Sequence, residues 1–522
     1  MLGKIKSFVK SILTKERLRK LRPFYHGPRA WLAAARYGFP GKKLKLVGIT
    51  GTKGKTTTTV FLGRLLNLNG QKTGYISSAV INSGDFNVDK FESGFTSDGE
   101  VLNKHKMSTI DAFEMQKLLH EMVENGCKYA VLELTSQGLE ARRHYGLGGF
   151  NLTMFLNIFP EHIDAHGGYD NYKKAKAILP QNIRLNGTFV GDVDSNALDF
   201  MLESVEERKD IKRVLIDFKN SNRTTKDLQE FKFNELEKFD ISQSVEGYQV
   251  LNYLGKSVET NFLAKFDAMN LGFAWVSMLQ LGLKPDLLKL SQIWGVPGRM
   301  EWVVRKGQVV YRGVQSTKPV EMSFRGNREI LLESGEKISH FVRNDKDEVH
   351  VNTGFVKDST NLKNLSIMVD YAHETESLRQ LLETLSRLRS SGDFDKIIHI
   401  FSVTGSGRDV WKRPQMARVT AELSDVVVYT SEDHDTKDDL KAMENEVVEY
   451  LRQNRAKRVE VEQDRFKSFE LALKVALDVF KDQKVLIVST AMGSQQGMET
   501  AHGVISWDER EEWIKALNSI QS

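Results

Sequence analysis

Residues 44–66 read LKLVGITGTKGKTTTTVFLGRLL. The apolar run from Leu44 to Ile49 is short, as a buried parallel strand is. Gly51-Thr52-Lys53-Gly54-Lys55-Thr56-Thr57 follows at once, and Val60, Phe61, Leu65 and Leu66 then recur at helical spacing. Strand, glycine turn and helix in succession are the context that a phosphate loop requires. Glycines let backbone N–H groups approach phosphate oxygens, and the helix N-terminus adds a favourable field. In such a loop Lys55 reaches the β- and γ-phosphates of a nucleotide and the Thr56 hydroxyl binds Mg²⁺. The spacing departs from the common Walker pattern, because Ile49 stands five positions before Gly54 and the nearest upstream glycine is Gly48.

Outward from this loop the α/β pattern continues. Phe113 to Glu124 reads as a helix, Tyr129 to Leu134 as a strand and Leu152 to Asn157 as another. The alternation predicts a parallel sheet flanked by helices. From Val303 to Lys357 the pattern becomes period-two, as in Gln308 to Arg312 and Glu348 to Val351, with turns at 325–327 and 333–335. That predicts a small antiparallel β insertion, spanning 303–366. Alternation resumes with strands at Ser366 to Val369, Lys396 to Phe401, Val426 to Tyr429 and Lys484 to Val488, the pattern of a second, Rossmann-like domain. The expected organisation is a basic segment at 1–43, a central phosphate-loop domain at 44–298 and a C-terminal Rossmann-like domain at 299–522.

The bulk properties set limits. With 522 residues, 40% hydrophobic and 27% charged, the chain has the composition of a multidomain globular protein. No run of about 18 apolar residues predicts a membrane span, and no secretory signal is legible at the N-terminus. The single cysteine, Cys127, excludes an internal disulfide and fits a cytoplasmic setting. The net charge of +5 is unevenly spread. Residues 1–45 hold 13 Lys or Arg against one acid, Glu16, and the remainder holds 61 basic and 68 acidic residues. An acidic body argues against nucleic acid as a partner. Ile5, Phe8, Val9, Ile12 and Leu13 make an apolar stripe in the basic segment. It reads either as a helix docked on the protein's own core or as one peripheral to the inner face of an anionic membrane, or to a protein partner.

Two downstream segments carry chemistry. Glu133 ends a predicted parallel strand, where a carboxylate beside a phosphate loop is well placed for Mg²⁺. Asn157 to Gly168 contains Glu161, His162, Asp164 and His166 in close succession, a cluster suited to metal or phosphate chemistry.

These motifs, in this order, resemble the Mur ligases. Further matches are Gly298-Arg299-Met300-Glu301, Val369-Asp370-Tyr371-Ala372-His373, and Gly405-Ser406-Gly407-Arg408-Asp409 with Lys412-Arg413-Pro414. The resemblance spans residues 44–515 and is greatest to the ligases that add the third amino acid to a UDP-N-acetylmuramoyl-dipeptide. It implies an ATP-dependent amide ligase working through an acyl phosphate, with ATP and Mg²⁺ as cofactors and a nucleotide-sugar peptide and an amino acid as substrates. By that resemblance Gly51 to Thr57, Asn270, Arg299, Asp370 and His373 hold ATP. Thr56, Glu133, His162 and a carbamylated Lys176 hold Mg²⁺, and Lys55, Lys176, His162 and Arg299 serve catalysis. Ser108, Thr109, Thr135, Arg143, Arg408, Glu432 and Asp433 meet the substrates. The ATP groups and the acceptor groups then lie in different domains, and the family's site is assembled between them. Other readings on the same scaffold are a polyglutamate or cyanophycin-like synthetase, and a non-catalytic phosphate-loop regulator.

Three departures qualify the resemblance. The phosphate loop comes at residue 51, where the subgroup carries a preceding uridine-binding domain of about 100 residues, a typical small-domain size, so the usual uridine site is expected to be missing. The diaminopimelate-adding enzymes have Asp-Asn-Pro-Arg where this chain has Glu432-Asp433-His434-Asp435, which predicts a basic or neutral acceptor such as lysine. A late Gly-Lys-Gly-His-Glu is replaced around Thr490 to Ser494, so that part of the acceptor pocket is expected to be rebuilt.

Overall fold

A computed structural model describes residues 15–85, 99–105, 109–161, 163–218, 233–311, 362–405, 409–434 and 438–520, with two further short strands, Ile330–Leu331 and Lys337–Ile338. The chain divides into two compact units, one built almost wholly from residues up to Trp294 and the other from Gly295 onward. The division falls four residues before the boundary expected from the sequence.

The first unit is built on a nine-stranded sheet. In spatial order its strands are Glu100–Leu102, Val80–Asn82, Thr73–Ile76, Tyr129–Glu133, Lys45–Thr50, Phe150–Phe155, Ile183–Asp192, Lys212–Asp217 and Glu235–Lys238. From Thr73–Ile76 onward every neighbouring pair is parallel, and the first two strands are antiparallel additions at one edge. The strands read as continuous apolar runs because helices cover both faces, as the sequence implied. The strand predicted at Leu44 to Ile49 is central, running Lys45–Thr50. Its register sets Ile49 beside Glu133 on one side and Thr50 beside Phe155 on the other. The helices Lys55–Leu68 and Ala112–Glu124 fall where the periodicity placed them. Asp111 caps the second of these, its carboxylate accepting from the Phe113 amide.

The second unit has a seven-stranded sheet in the order Gln308–Val309, Glu301–Arg305, Leu365–Val369, Val485–Ser489, Lys396–Phe401, Val426–Tyr429, Val459–Val461. The last five are mutually parallel. The expected β insertion is only partly matched. Glu301–Arg305 pairs antiparallel with Leu365–Val369 and with Gln308–Val309, so the alternating pattern there belongs to the edge of the main sheet. An edge hairpin with one covered face has the same period-two signature as a free-standing insertion. Ile330–Leu331 pairs antiparallel with Lys337–Ile338. The expected strand at Glu348 to Val351 and the expected turns lie outside the described residues. The unit is closed by its last helix, Glu509–Ser519. There the Arg510 guanidinium lies 3.4 Å from the buried Glu301 carboxylate and is also paired with Asp508.

At the other end of the chain a 22-residue helix, Lys15–Arg36, packs on the first unit. The apolar stripe from Ile5 to Leu13 lies outside the described residues. No described helix is long and apolar enough to cross a membrane.

Candidate active site

The phosphate loop is shaped by its own glycines and by its neighbours in the sheet. Gly54 has φ of 76°, a left-handed conformation, and a Cβ there would stand 2.4 Å from Asn270 Oδ1. Having no side chain, Gly54 leaves the first-turn amides of the helix Lys55–Leu68 without a cap. Such an end receives an anion. The loop is braced from the adjoining strand end: Asn157 Oδ1 accepts from the amides of Thr52 and Lys53 at 3.2 and 2.9 Å. The Thr52 hydroxyl lies 2.9 Å from that of Tyr172, and the Phe159 amide donates to it.

An oxygen cluster gathers at the start of the helix. The Thr56 hydroxyl donates to Glu133 Oε2 at 3.0 Å and lies 2.7 Å from the Ser78 hydroxyl, while the Ser78 amide donates to the same Glu133 oxygen at 2.7 Å. Three hard oxygen donors within hydrogen-bond reach fit Mg²⁺, which takes few protein oxygens and completes its shell with water and phosphate. Among the described residues no three His, Cys, Asp or Glu side chains form a metal cluster; His162 lies outside them.

Two lysines are bonded to the loop's own carbonyls. Lys55 donates to the Thr52 carbonyl at 2.7 Å. Lys176, fully buried in the helix Tyr169–Gln181, donates to the Gly51 carbonyl at 2.6 Å, with its ammonium 4.5 Å from the centre of the Tyr172 ring. Burial, then the Lys55 charge, pull the Lys176 pKa well below the usual lysine value, against the opposing pull of Glu161.

The described members of the predicted histidine-acid cluster do not converge on one another. His166 turns toward the short helix Ser136–Glu140, its Nε2 3.0 Å from Ser136 Oγ and its Nδ1 3.1 Å from Glu140. Asp164 is exposed, and Glu161 is the buried acid acting on Lys176. Asn270 sits beside the loop, its Oδ1 accepting from the Thr58 hydroxyl at 3.2 Å. Thr109, Thr135 and Arg143 come together: the two threonine hydroxyls are 3.0 Å apart, and the Arg143 guanidinium donates to the Thr109 carbonyl at 2.7 Å. Ser108 lies outside the described residues. Ser78, Asn157 and Tyr172 were not assigned roles from the sequence. Ser78 had a signal, since it follows the strand Thr73–Ile76 beside the one that ends in Glu133.

In the second unit the predicted residues cluster at the C-terminal ends of parallel strands, where open α/β sheets bind ligands. Buried Asp370 accepts from the amides of Met300 and Ala372, both at 2.7 Å, and burial raises its pKa. The Arg299 guanidinium lies 4.3 Å from the centre of the Tyr371 ring, and His373 Nδ1 contacts the Tyr371 carbonyl at 2.8 Å. Glu432 follows the strand Val426–Tyr429, and its two oxygens accept from the hydroxyls of Ser402, at 2.7 Å, and Thr404. Asp433 Oδ1 accepts from the Glu499 amide at 2.7 Å. Arg408 and Asp435 lie outside the described residues. The replaced segment near Thr490 is packed tightly: a Cβ on Gly298 would stand 2.1 Å from the Ser494 nitrogen.

Residues 49–278 match the Mur ligase middle domain, and residues 355–492 match the Mur ligase glutamate ligase domain. Among curated relatives, the UDP-N-acetylmuramoyl-L-alanyl-D-glutamate–2,6-diaminopimelate ligase of Chlorobium phaeobacteroides is 25% identical over 470 residues, covering 89% of this chain and 74% of its own. Its counterpart in Clostridium tetani is 27% identical over 486 residues, covering 91% and 78%. Among solved structures, Mycobacterium tuberculosis folylpolyglutamate synthase complexed with ADP superposes with a TM-score of 0.57 at 15% identity, over 91% of this chain and 94% of that one. That likeness is one of fold.

Proposed function

The chain belongs to the Mur ligase family, and on that premise we propose that it joins a carboxylate to an amine at the expense of ATP, adding the third amino acid to a UDP-N-acetylmuramoyl-dipeptide-like precursor of peptidoglycan. The observation that carries this reading is the phosphate loop with the Thr56, Ser78 and Glu133 oxygens joined at the start of its helix and with Lys55 and Lys176 bonded to its Thr52 and Gly51 carbonyls.

The chemistry follows from charge. A donor carboxylate oxygen attacks the γ-phosphorus, ADP leaves, and an acyl phosphate forms. The acceptor amine then attacks the acyl carbon, gives up a proton and expels phosphate. The first step brings an anion onto a polyanion. Loop amides and Lys55 offset that repulsion at the phosphates. Bound Mg²⁺ would neutralise phosphate charge and orient the γ-phosphoryl group; Thr56, Ser78 and Glu133 are its candidate holders, with His162 as the resemblance implies. Thr109, Thr135 and Arg143 are the candidate binders of the donor peptide.

Lys176 is proposed to act as a carbamate. A buried ammonium beside Lys55 repels the metal expected nearby, whereas a carbamate offers it oxygen ligands. For the acceptor, the Glu432 and Asp433 carboxylates favour lysine, or another basic or neutral amino acid, over one with a distal carboxylate. The segment 1–43 is proposed as a contact peripheral to a membrane or a partner.

The test is to incubate the protein with ATP, Mg²⁺ and UDP-N-acetylmuramoyl-dipeptide, and to follow phosphate release with lysine, meso-diaminopimelate or glutamate as acceptor. Release that requires both donor and lysine supports the reading. Release with a folate or a polyglutamate in place of the nucleotide peptide overturns the donor assignment, and no release with any acceptor overturns the activity.

A further inference from the structure

The N-terminal helix Lys15–Arg36 inverts the usual arrangement of a surface helix. Such a helix normally turns large apolar residues inward and polar ones outward. Here the inner face is small: Gly27, Ala30, Ala33 and Ala34 are buried. Ala30 and Ala33 pack on Ala112, and Gly146 lies so near that a Cβ on it would meet Ala34 Cβ at 2.4 Å. The helix is held at two further points, Arg29 to Asp111 at 3.1 Å and Arg19 to Glu140 at 3.5 Å.

The outer face is large and apolar. Leu21, Phe24, Tyr25, Trp31 and Leu32 are between 50% and 72% exposed. At roughly 100° per residue they fall in one stripe about 120° wide, which also takes in Pro28. Scattered exposed apolar residues are ordinary, but a contiguous aromatic stripe marks an interaction surface. Arg22 and Arg36, both exposed, fall on one border of it, and Lys20 on the other. The preceding fourteen residues add Lys4, Lys6 and Lys10 and no acid.

We propose that this outer face docks on an anionic lipid bilayer, the helix lying in the plane of the headgroups with Phe24, Trp31 and Leu32 inserted among them. Amphipathic Trp and Tyr favour the membrane–water boundary. The flanking cations match the negative charge of such a surface, an attraction lost beyond a Debye length. A protein partner with an apolar groove would need no excess of cations, and the balance of +12 in residues 1–45 against −7 in the remainder points to lipid. This inference rests on the peripheral-contact reading of residues 1–43 and is independent of the ligase reading, since vesicle binding requires neither ATP nor donor.

The test is co-sedimentation of the full chain with vesicles of phosphatidylglycerol and phosphatidylethanolamine, and with vesicles of phosphatidylcholine alone, at low and high salt. The expected result is pelleting with the anionic vesicles, weakened by salt, and at least tenfold weaker partition for the combined variant Phe24→Ser, Trp31→Ser, Leu32→Ser with its thermal midpoint and ATP turnover retained. No pelleting at low salt overturns the proposal, as does pelleting of the combined variant equal to wild type. Dimerisation lost in that variant without any vesicle binding overturns it in favour of a second copy of the chain. Should the combined variant fail to fold, Trp31→Phe decides the matter. With bromine-labelled lipid, fluorescence quenching in wild type should largely disappear in Trp31→Phe, and quenching that persists unchanged overturns the insertion geometry.

Discussion

The phosphate loop and the acidic loop after Tyr429 are both strand-end features on parallel sheets, yet they hold their chemistry in different ways. In the first, glycine and strand register determine the site: Gly54 must be left-handed, and Ile49 beside Glu133 carries the carboxylate to the loop. In the second, the resemblance and the charge of the residues suggested the role, and the structure shows the carboxylates already engaged. Glu432 is held by Ser402 and Thr404, and Asp433 by the Glu499 amide. A site built from backbone geometry is specified locally. A site built from carboxylates depends on which distant donors reach them first, and Ser402 lies 30 residues away from Glu432 in the chain.

The sharpest way to break this comparison is at Lys55. Lys55→Ala should lower ATP turnover by about 100-fold or more, roughly 2.7 kcal/mol in the barrier, while leaving the thermal midpoint near that of wild type. An ADP-release assay on folded protein checks it, and more than about a tenth of the wild-type rate would remove Lys55 from the site. Next comes Lys176→Ala, expected to be inactive and partly restored by acetate or another small carboxylate. Activity without added carboxylate would dispose of the carbamate. In the acidic loop the effect should be smaller. Lysine should exceed meso-diaminopimelate in kcat/KM by about tenfold, close to 1.4 kcal/mol, and Glu432→Gln should narrow that gap. A preference for meso-diaminopimelate in an equal-concentration competition would show that this loop does not set specificity.

What could be read from the chain beforehand follows the same division. The central strand, the helix after it, two further strands of the first sheet and four parallel strands of the second were legible because burial on both faces leaves continuous apolar runs. Thr56 and Glu133 were legible as neighbours because Thr56 opens the helix that follows the central strand and Glu133 ends the strand beside it. Ser78 had only its place after a strand as a signal, one that many serines share; its amide's hydrogen bond across 55 residues to Glu133 is what singles it out. For His166 the signal was local and the contacts are distant. Its place in a dense polar run suggested phosphate chemistry, but its partners, Ser136 and Glu140, come from another helix. The edge hairpin at 301–309 passed for part of an insertion because period-two alternation does not reveal which sheet a strand joins.

The mildest effect concerns one buried histidine in each unit. Burial, with Arg142 nearby, lowers the His144 pKa to about 4, and burial, with Arg465 nearby, lowers that of His399 to about 3. Both stay neutral in the folded protein, while the unfolded chain takes up protons below pH 6.5. Stability therefore falls as pH drops through 6.5 toward about 4 for His144 and about 3 for His399, by up to about 1.4 kcal/mol per pH unit for each. Denaturant unfolding between pH 7 and pH 5 should show this loss, and His144→Gln or His399→Gln should flatten it for the unit that carries the substitution. Equal slopes in wild type and both variants would place the acid sensitivity elsewhere.

The pairing of Glu301 with Arg510 has a consequence for synthesis. The two residues are 209 positions apart. At about 5–20 residues per second, a ribosome needs roughly ten to forty seconds to travel from one to the other. The partners of the phosphate loop, by contrast, have all been made by Asn270. The nucleotide-facing unit can thus mature on a nascent chain, while the first strand of the other waits, its carboxylate without a counter-ion, until residue 510 has been made. Stalling or premature termination before residue 510 would release a chain with one completed unit and one that cannot close.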